Sequence, residues 1–311
     1  MAETVLRLDA DDVWRTLETL DPVAVLAEVL IKRAINHPDQ DRKPDCLLVP
    51  WGDREGEYVL AEDQSLGLSC AMPATALRMV HAAALSALAT RELLPPGGIT
   101  VAMLGTRHET QSQLAILVEH VPDIVHVAMR ITDKTEAGEL EPRLLDQLDL
   151  AGIGLSVGTK LADSLFGANL VIAVSEDALV DGTEQAGVNQ LVRGTVLVNA
   201  SGHDLPTSLV DQVDQVYVDD LALLPEYPDR HVVARHLTHS TSGAMWAGGH
   251  ARPPEIAADL GLLLAGSRPG REQQDDIVVV ELLSTNVPNT PLAHVIAKTA
   301  VRCGLGERVT A

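Results

Sequence analysis

Apolar positions along this chain follow two rhythms, and the change between them falls near residue 95. After the polar start Asp9 to Asp12, the residues Val13, Leu17, Leu20, Val25, Leu26, Val29 and Leu30 recur at helical spacing. They predict a capped amphipathic helix, with Pro22 opening a second one because proline fits a first turn. Asn36 to Pro44 is polar and proline-bearing, hence a loop. Short runs at Cys46 to Val49, Glu57 to Ala61 and Leu66 to Cys70, set apart by turn residues such as Gly52 and Gly56, predict strands. A long helix follows over Thr75 to Leu93, stopped by Pro95-Pro96-Gly97-Gly98.

Beyond that stop the apolar runs become continuous, as in strands covered on both faces. Ile99 to Leu104, Ile124 to Met129, Ile153 to Val157, Leu170 to Val174, Val196 to Asn199, Gln215 to Val218 and Ile277 to Leu283 are the strand candidates. Helical spacing fills the intervals at Thr110 to Glu119, Glu136 to Leu148 and Lys160 to Leu165. Ala234 to Ala247 and Pro254 to Leu264 also predict helices, and Pro291 to Cys303 predicts a closing helix capped by Gly304. Alternation at this spacing is the grammar of a parallel, doubly wound sheet. The fold class expected is therefore α/β, a Rossmann-type sheet beside a smaller α+β region.

Composition narrows the picture. Aromatic residues are 2% of the chain against 46% hydrophobic, so aliphatic side chains must fill the core. A formal net charge of −21 repels polyanions, which argues against nucleic acid and anionic membrane surfaces as partners. Three separated cysteines (Cys46, Cys70, Cys303) and a mixed acidic start without an apolar leader point to a reduced, cytoplasmic setting. No apolar run approaches the roughly 20 residues that cross a bilayer.

The strand ending at Gly105 and the helix after it form the place where a doubly wound fold cradles a pyrophosphate. The glycine pattern GxGxxG becomes Gly105-Thr106-Arg107-His108-Glu109-Thr110, which keeps only the first glycine. Arg107 offers a charge contact with phosphate, whereas Glu109 repels phosphate unless it points away. At the end of the next strand, Met129-Arg130 stands where an acid ordinarily takes ribose hydroxyls. An arginine there favours a 2′-phosphate, so Gly105, Thr106, Arg107 and Arg130 are the candidate cofactor contacts, for NAD or NADP. The other reading is a turn that no longer binds a dinucleotide.

Four segments in order carry a family resemblance. Thr75-Ala76-Leu77-Arg78 with the alanine-rich run from His81 is similar to a "TxxRTxAxSxLA" helix. Gly194 to Asp204 is similar to "GTHINAxGxD", and Ile256 to Gly270 with Asp275-Asp276-Ile277 to "LxxLLxGxxPGRxxxDxIT". The tail Ala293 to Gly306 matches a final helix before "GLG". Together they resemble the ornithine cyclodeaminase, mu-crystallin and ketimine reductase family. The resemblance implies NAD(P)-linked chemistry at the α-carbon of an amino or imino acid, and a homodimer built by the smaller domain. It implies that Arg78 grips the substrate carboxylate and that Asp204 is the catalytic acid or base. Each has a plainer alternative, a helix cap or a surface pair for Arg78 and an Asx turn before Pro206 for Asp204.

The implied division is a substrate-binding and dimerisation domain over 1–94, completed by 284–311, and a dinucleotide domain over 95–283. The chain departs from the family at Met79, at Leu205-Pro206-Thr207-Ser208 and at Ser284 to Pro291, so a diverged substrate is implied. A cofactor-free relative, either a non-redox enzyme or a non-catalytic dimeric binding protein, is the rival reading. A second carboxylate-binding arginine is left open among Arg33, Arg42 and Arg54. His231, His236, His239 and His250 cluster in sequence, but two on one helical face make no metal site without a third ligand, and none is expected.

Overall fold

The structure, a computed structural model, describes residues 4–35, 46–51, 58–63, 67–131, 140–181, 184–185, 187–242, 255–286 and 289–310. The first part contains β1 (Thr4–Arg7), α1 (Ala10–Thr16), α2 (Pro22–Ile35), β2 (Cys46–Trp51), β3 (Tyr58–Asp63), β4 (Leu68–Pro73) and α3 (Ala74–Leu93). Asp9 and Asp12 cap α1 reciprocally, each side chain accepting from the other's backbone N–H. The predicted loop 36–44 lies outside the described residues.

The second part runs β5 (Ile99–Gly105), α4 (Arg107–His120), β6 (Ile124–Ile131), α5 (Pro142–Leu150), β7 (Gly154–Gly158), α6 (Leu161–Leu165) and β8 (Leu170–Ala173). A two-residue pair, β9 (Val180–Asp181) and β10 (Glu184–Gln185), precedes β11 (Val196–Asn199), α7 (Thr207–Val210), β12 (Gln215–Val218) and α8 (His231–Ser242). Then come β13 (Ile256–Asp259), α9 (Leu260–Leu264), β14 (Val278–Glu281), α10 (Thr290–Cys303) and β15 (Glu307–Thr310).

Eight strands form one parallel sheet in the order β13-β12-β14-β11-β8-β5-β6-β7. Alternate residues of β5 feed opposite cores, as strand geometry requires. Val101 and Met103 join the core shared with α3 and α4, while Ala102 and Leu104 join the core on the other face, with Leu161 and Leu165 of α6. From β5 the chain winds one way to β6 and β7, and the opposite way from β8 onward. The carboxyl ends of β5 and β8 therefore flank a topological switch point, where doubly wound sheets bind ligands.

A second, mixed sheet has the order β15-β1-β4-β3-β2. Its outer strand β15 pairs antiparallel with β1 from the far end of the chain. Between the sheets lies α3, buried along nearly its whole length. Its alanines at 82, 83, 84, 87 and 89 let neighbours approach closely, and a helix apolar all round belongs in an interior. Gly304 ends α10 at φ 67° and ψ 32°, the left-handed cap expected from sequence.

One predicted helix is corrected. Over Pro254 to Leu264, Ile256–Asp259 is instead an edge strand paired with β12, and only Leu260–Leu264 is helical. The apolar spacing was ambiguous between helix and strand, and pairing with a neighbour decided it. Strands β1 and β15 are additions, each four residues long and visible only once the other is placed. Among the described residues, no helix is long and apolar enough to cross a membrane.

Candidate active site

The turn between β5 and α4 keeps the architecture of a pyrophosphate cradle. Gly105 sits at φ 150°, where a side chain's Cβ would meet Val174 Cγ2 at 2.4 Å and Ser175 Oγ at 3.1 Å. Only glycine fits between this turn and the end of β8. Thr106 caps α4, accepting from the Glu109 backbone N–H at 3.4 Å and donating its hydroxyl to Glu109 Oε2 at 2.6 Å. Thr110, at the third glycine position, is fully buried and donates its hydroxyl to the carbonyls of Thr106 and Arg107. The hydroxyl that replaces a third glycine is thus satisfied within the first turn of α4.

Two strands away, the loop after β11 is fixed by a buried polar network. Asn199 donates to the His203 carbonyl at 2.7 Å and to both oxygens of Glu281, a residue 1% exposed. Ser201 donates its hydroxyl to Asn199 Oδ1 at 2.6 Å, and the His203 N–H returns to Ser201 Oγ at 3.0 Å. Arg230 clasps the loop from outside, donating to the carbonyls of Gly202 (2.6 Å) and His203 (2.7 Å) and from Nε to Asp204 Oδ1 (3.1 Å). Its guanidinium also pairs with Glu281. Burial pulls the Arg230 pKa below its ordinary value, while Asp204 opposes that shift. The same Asp204 oxygen accepts from the His231 N–H at the start of α8, at 3.0 Å.

Between α3, α4 and this loop lies a cleft of about 430 Å³. Arg78 and Thr75 border it from α3, and Glu109 and Gln113 from α4. Ser201 and His203 border it from the loop. Glu109 and Gln113 are four residues apart, so they share a helix face. Gln113 is 4% exposed, and its Oε1 has no hydrogen-bond partner among the described residues. Asp204 borders an adjoining pocket of about 300 Å³ with Glu176 and Asp177, and Ser201 lines both.

The structure brings Arg78 and Thr106 to one cleft and places Asp204 next door. Arg107 is half-buried in the first turn of α4 and is not among the cleft-lining residues. Arg130, the candidate contact for a 2′-phosphate, lies inside the fold. It is 5% exposed, and its guanidinium donates to the carbonyls of Thr159, Ala178 and Val180 at 3.2, 2.9 and 2.8 Å. It therefore ties β6 to the segments after β7 and β8. Arg33 pairs with Asp220 at 3.0 Å, and Arg42 and Arg54 lie outside the described residues.

His231 pairs with Asp211 at 3.0 Å, and the side chain of His239 and all of His250 lie outside the described residues. Sequence reasoning missed His203, Ser201, Gln113 and the Arg230–Glu281 clasp. His203 stood inside the motif ending at Asp204, and the face shared by Glu109 and Gln113 was readable from their spacing.

Two buried titratable groups stabilise the surroundings. Burial raises the Asp219 carboxyl pKa, opposed by hydrogen bonds from Ser284 and from the Leu283 N–H, and those bonds fix the segment that carries Thr285 into the cleft. His81 on α3 is pulled down to about 4, first by burial and then by Arg33.

A doubly wound sheet with a glycine turn at its switch point, joined to a small mixed sheet, defines a two-part Rossmann-type protein. The chain belongs to the ornithine cyclodeaminase/mu-crystallin family, which residues 57–302 match. It is 24% identical over 236 residues to a Δ1-pyrroline-2-carboxylate reductase of Bacillus cereus, an alignment covering 75% of this chain and 67% of that protein. In fold it is similar to the crystal structure of CmnK (TM-score 0.74, 20% identity, 99% of this chain and 98% of that one). It is also similar to the Thermococcus litoralis Δ1-pyrroline-2-carboxylate reductase in complex with NADH and L-proline (TM-score 0.69, 14% identity, 98% and 100% covered).

Proposed function

We propose that this protein is an NAD(P)-linked enzyme acting at the α-carbon of a small amino or imino acid, of the imine reductase or cyclodeaminase type. The observation that carries this reading is the shared edge of one cleft. Arg78 lines it together with Thr106 of the switch-point turn and with Ser201 and His203 of the loop that leads to Asp204. Relatives bearing the names of imine reductases and cyclodeaminases, one of them holding NADH and L-proline, support it.

The residues present fit a dinucleotide at the turn, because Gly105 stands where a Cβ would jam the cradle. Gly105 and Thr106 would meet the pyrophosphate at the start of α4, with Arg107 supplying positive charge. When bound, the dinucleotide gives or accepts the hydride. Arg78 holds the substrate carboxylate, a planar anion suited to a guanidinium fork. Asp204 then moves the proton at the substrate nitrogen, its carboxylate held in one orientation by Arg230 and the His231 N–H. A second reading gives that proton to His203, because His203 borders the Arg78 cleft itself whereas Asp204 borders the pocket beside it. We further propose the division into 1–94 with 284–311 and 95–283, and association of the smaller part with a second copy.

Calorimetric titration with NADH and NADPH tests the cofactor, followed by NADH oxidation with cyclic imino acids. Binding, with turnover lost in Asp204→Asn at unchanged cofactor affinity, is the expected result. Turnover lost in His203→Gln but kept in Asp204→Asn would move the proton to His203. Absence of binding at millimolar cofactor would overturn hydride transfer and favour the cofactor-free alternative.

A further inference from the structure

We infer that Glu109 sets, and lowers, the affinity of this cleft for dinucleotides, because its carboxylate is fastened to the Thr106 hydroxyl at the helix terminus that a pyrophosphate would use. The inference rests on the dinucleotide reading above. The free N–H groups and dipole of a helix N-terminus attract one anion, and a second one beside it is repelled. In α4 the anion is internal. Glu109 is the third residue of the helix, its backbone N–H goes to Thr106 Oγ1, and its Oε2 accepts the Thr106 hydroxyl at 2.6 Å.

The first turn is also locked from behind. Thr110 is buried, and its hydroxyl donates to the Thr106 and Arg107 carbonyls at 2.9 and 3.0 Å. Gly105 is wedged against Val174 and Ser175, so the turn cannot retreat to separate an incoming phosphate from Glu109. Glu109 borders the cleft that Arg78 also lines. A bound pyrophosphate must therefore lie near this carboxylate, or the carboxylate must swing away and give up its bond to Thr106. Either course weakens binding.

The test is titration of the full chain with NADH at two ionic strengths, comparing wild type, Glu109→Gln and Glu109→Ala. Glutamine keeps the shape and an acceptor for Thr106 while removing the charge, and alanine guards against a role for the amide itself. Both variants are expected to bind NADH about tenfold more tightly at low salt, with the advantage shrinking at high salt as charge is screened. Equal affinity in all three proteins would overturn the inference and leave the dinucleotide reading standing. Weaker binding in the variants would make Glu109 a ligand and overturn it too, as would an advantage that salt does not change. Absence of NADH binding in all three would sink both readings together.

Discussion

Two loops leave the same edge of the large sheet and are held by opposite means. The turn at 105–110 is closed by its own neighbours, through contacts three and four residues apart. The loop at 199–204 is closed from a distance, by Glu281 on β14 and Arg230 before α8. A locally closed turn can keep its path without the second and third glycines of the GxGxxG pattern, as this one does. A loop closed by a buried ion pair does not tolerate such exchange, because each partner is left stranded without the other. Arg230→Met is the severest way to break this contrast. It leaves Glu281, 1% exposed, without its cation, and should cost about 3–5 kcal/mol in urea unfolding. A loss below about 1 kcal/mol would show that the clasp does not hold the loop.

Acid provides a second cut, and it falls outside both loops. Asn289 caps α10 by accepting from the Leu292 N–H at 3.0 Å, which turns its amide nitrogen toward His81 Nε2 at 3.2 Å. That nitrogen must accept, so His81 is neutral in the fold. Protonation would set two donors against each other in a buried place. The folded pKa of about 4 lies below the ordinary 6.5, so between these values the unfolded chain binds more protons. The contribution is complete above pH 6.5 and is lost as pH falls toward 4, by roughly 3 kcal/mol at 1.36 kcal/mol per pKa unit. Unfolding midpoints at pH 7.5 and 4.5 should therefore diverge less in His81→Leu than in wild type. An unchanged divergence would place the acid-sensitive point elsewhere.

The two loops also explain what could be read from sequence. The parallel sheet was legible because a strand buried on both faces must be a continuous apolar run, as Val101 to Leu104 and Leu170 to Ala173 are. Gly105 was legible because its neighbours along the chain define the turn. The burial of Arg130 was not legible, because it depends on carbonyls at Thr159, Ala178 and Val180, which only the fold brings near. Arg230 and Glu281 were invisible for the same reason. Ile256–Asp259 was misread because four apolar and polar residues fit either helix or strand until β12 is beside them. Local chemistry was readable; chemistry assembled across the sheet was not.

Gly105→Ala tests whether the turn is as tolerant as its lost glycines suggest. The new Cβ would stand 2.4 Å from Val174 Cγ2, on a stiff β-branched side chain, and at a φ of 150° that L-residues rarely adopt. Strain and overpacking together should cost about 2 kcal/mol. The damage should also reach the end of β8, reported by faster amide exchange near Val174 and Ser175. A variant as stable as wild type would mean that the turn can yield, which would equally weaken the argument that Glu109 is held against an incoming phosphate.

Thr106→Ala is the mildest change and separates the two roles of that side chain. The hydroxyl is an acceptor for the Glu109 N–H at 3.4 Å, a long contact, and a donor to Glu109 Oε2 at 2.6 Å, a short one. Loss of an N-cap costs about 0.5–2 kcal/mol, and the length of the capping bond points to the lower half of that range. If most of the loss comes through the carboxylate, then in Glu109→Ala the Thr106→Ala change should cost less than it does in wild type. That difference is a coupling energy measurable by a double-mutant cycle in urea, expected near 0.5 kcal/mol. Independent, additive losses would mean that Thr106 acts only as a cap. In that case the carboxylate would stand at the helix terminus without being fastened there, and the turn would be more open than its geometry implies.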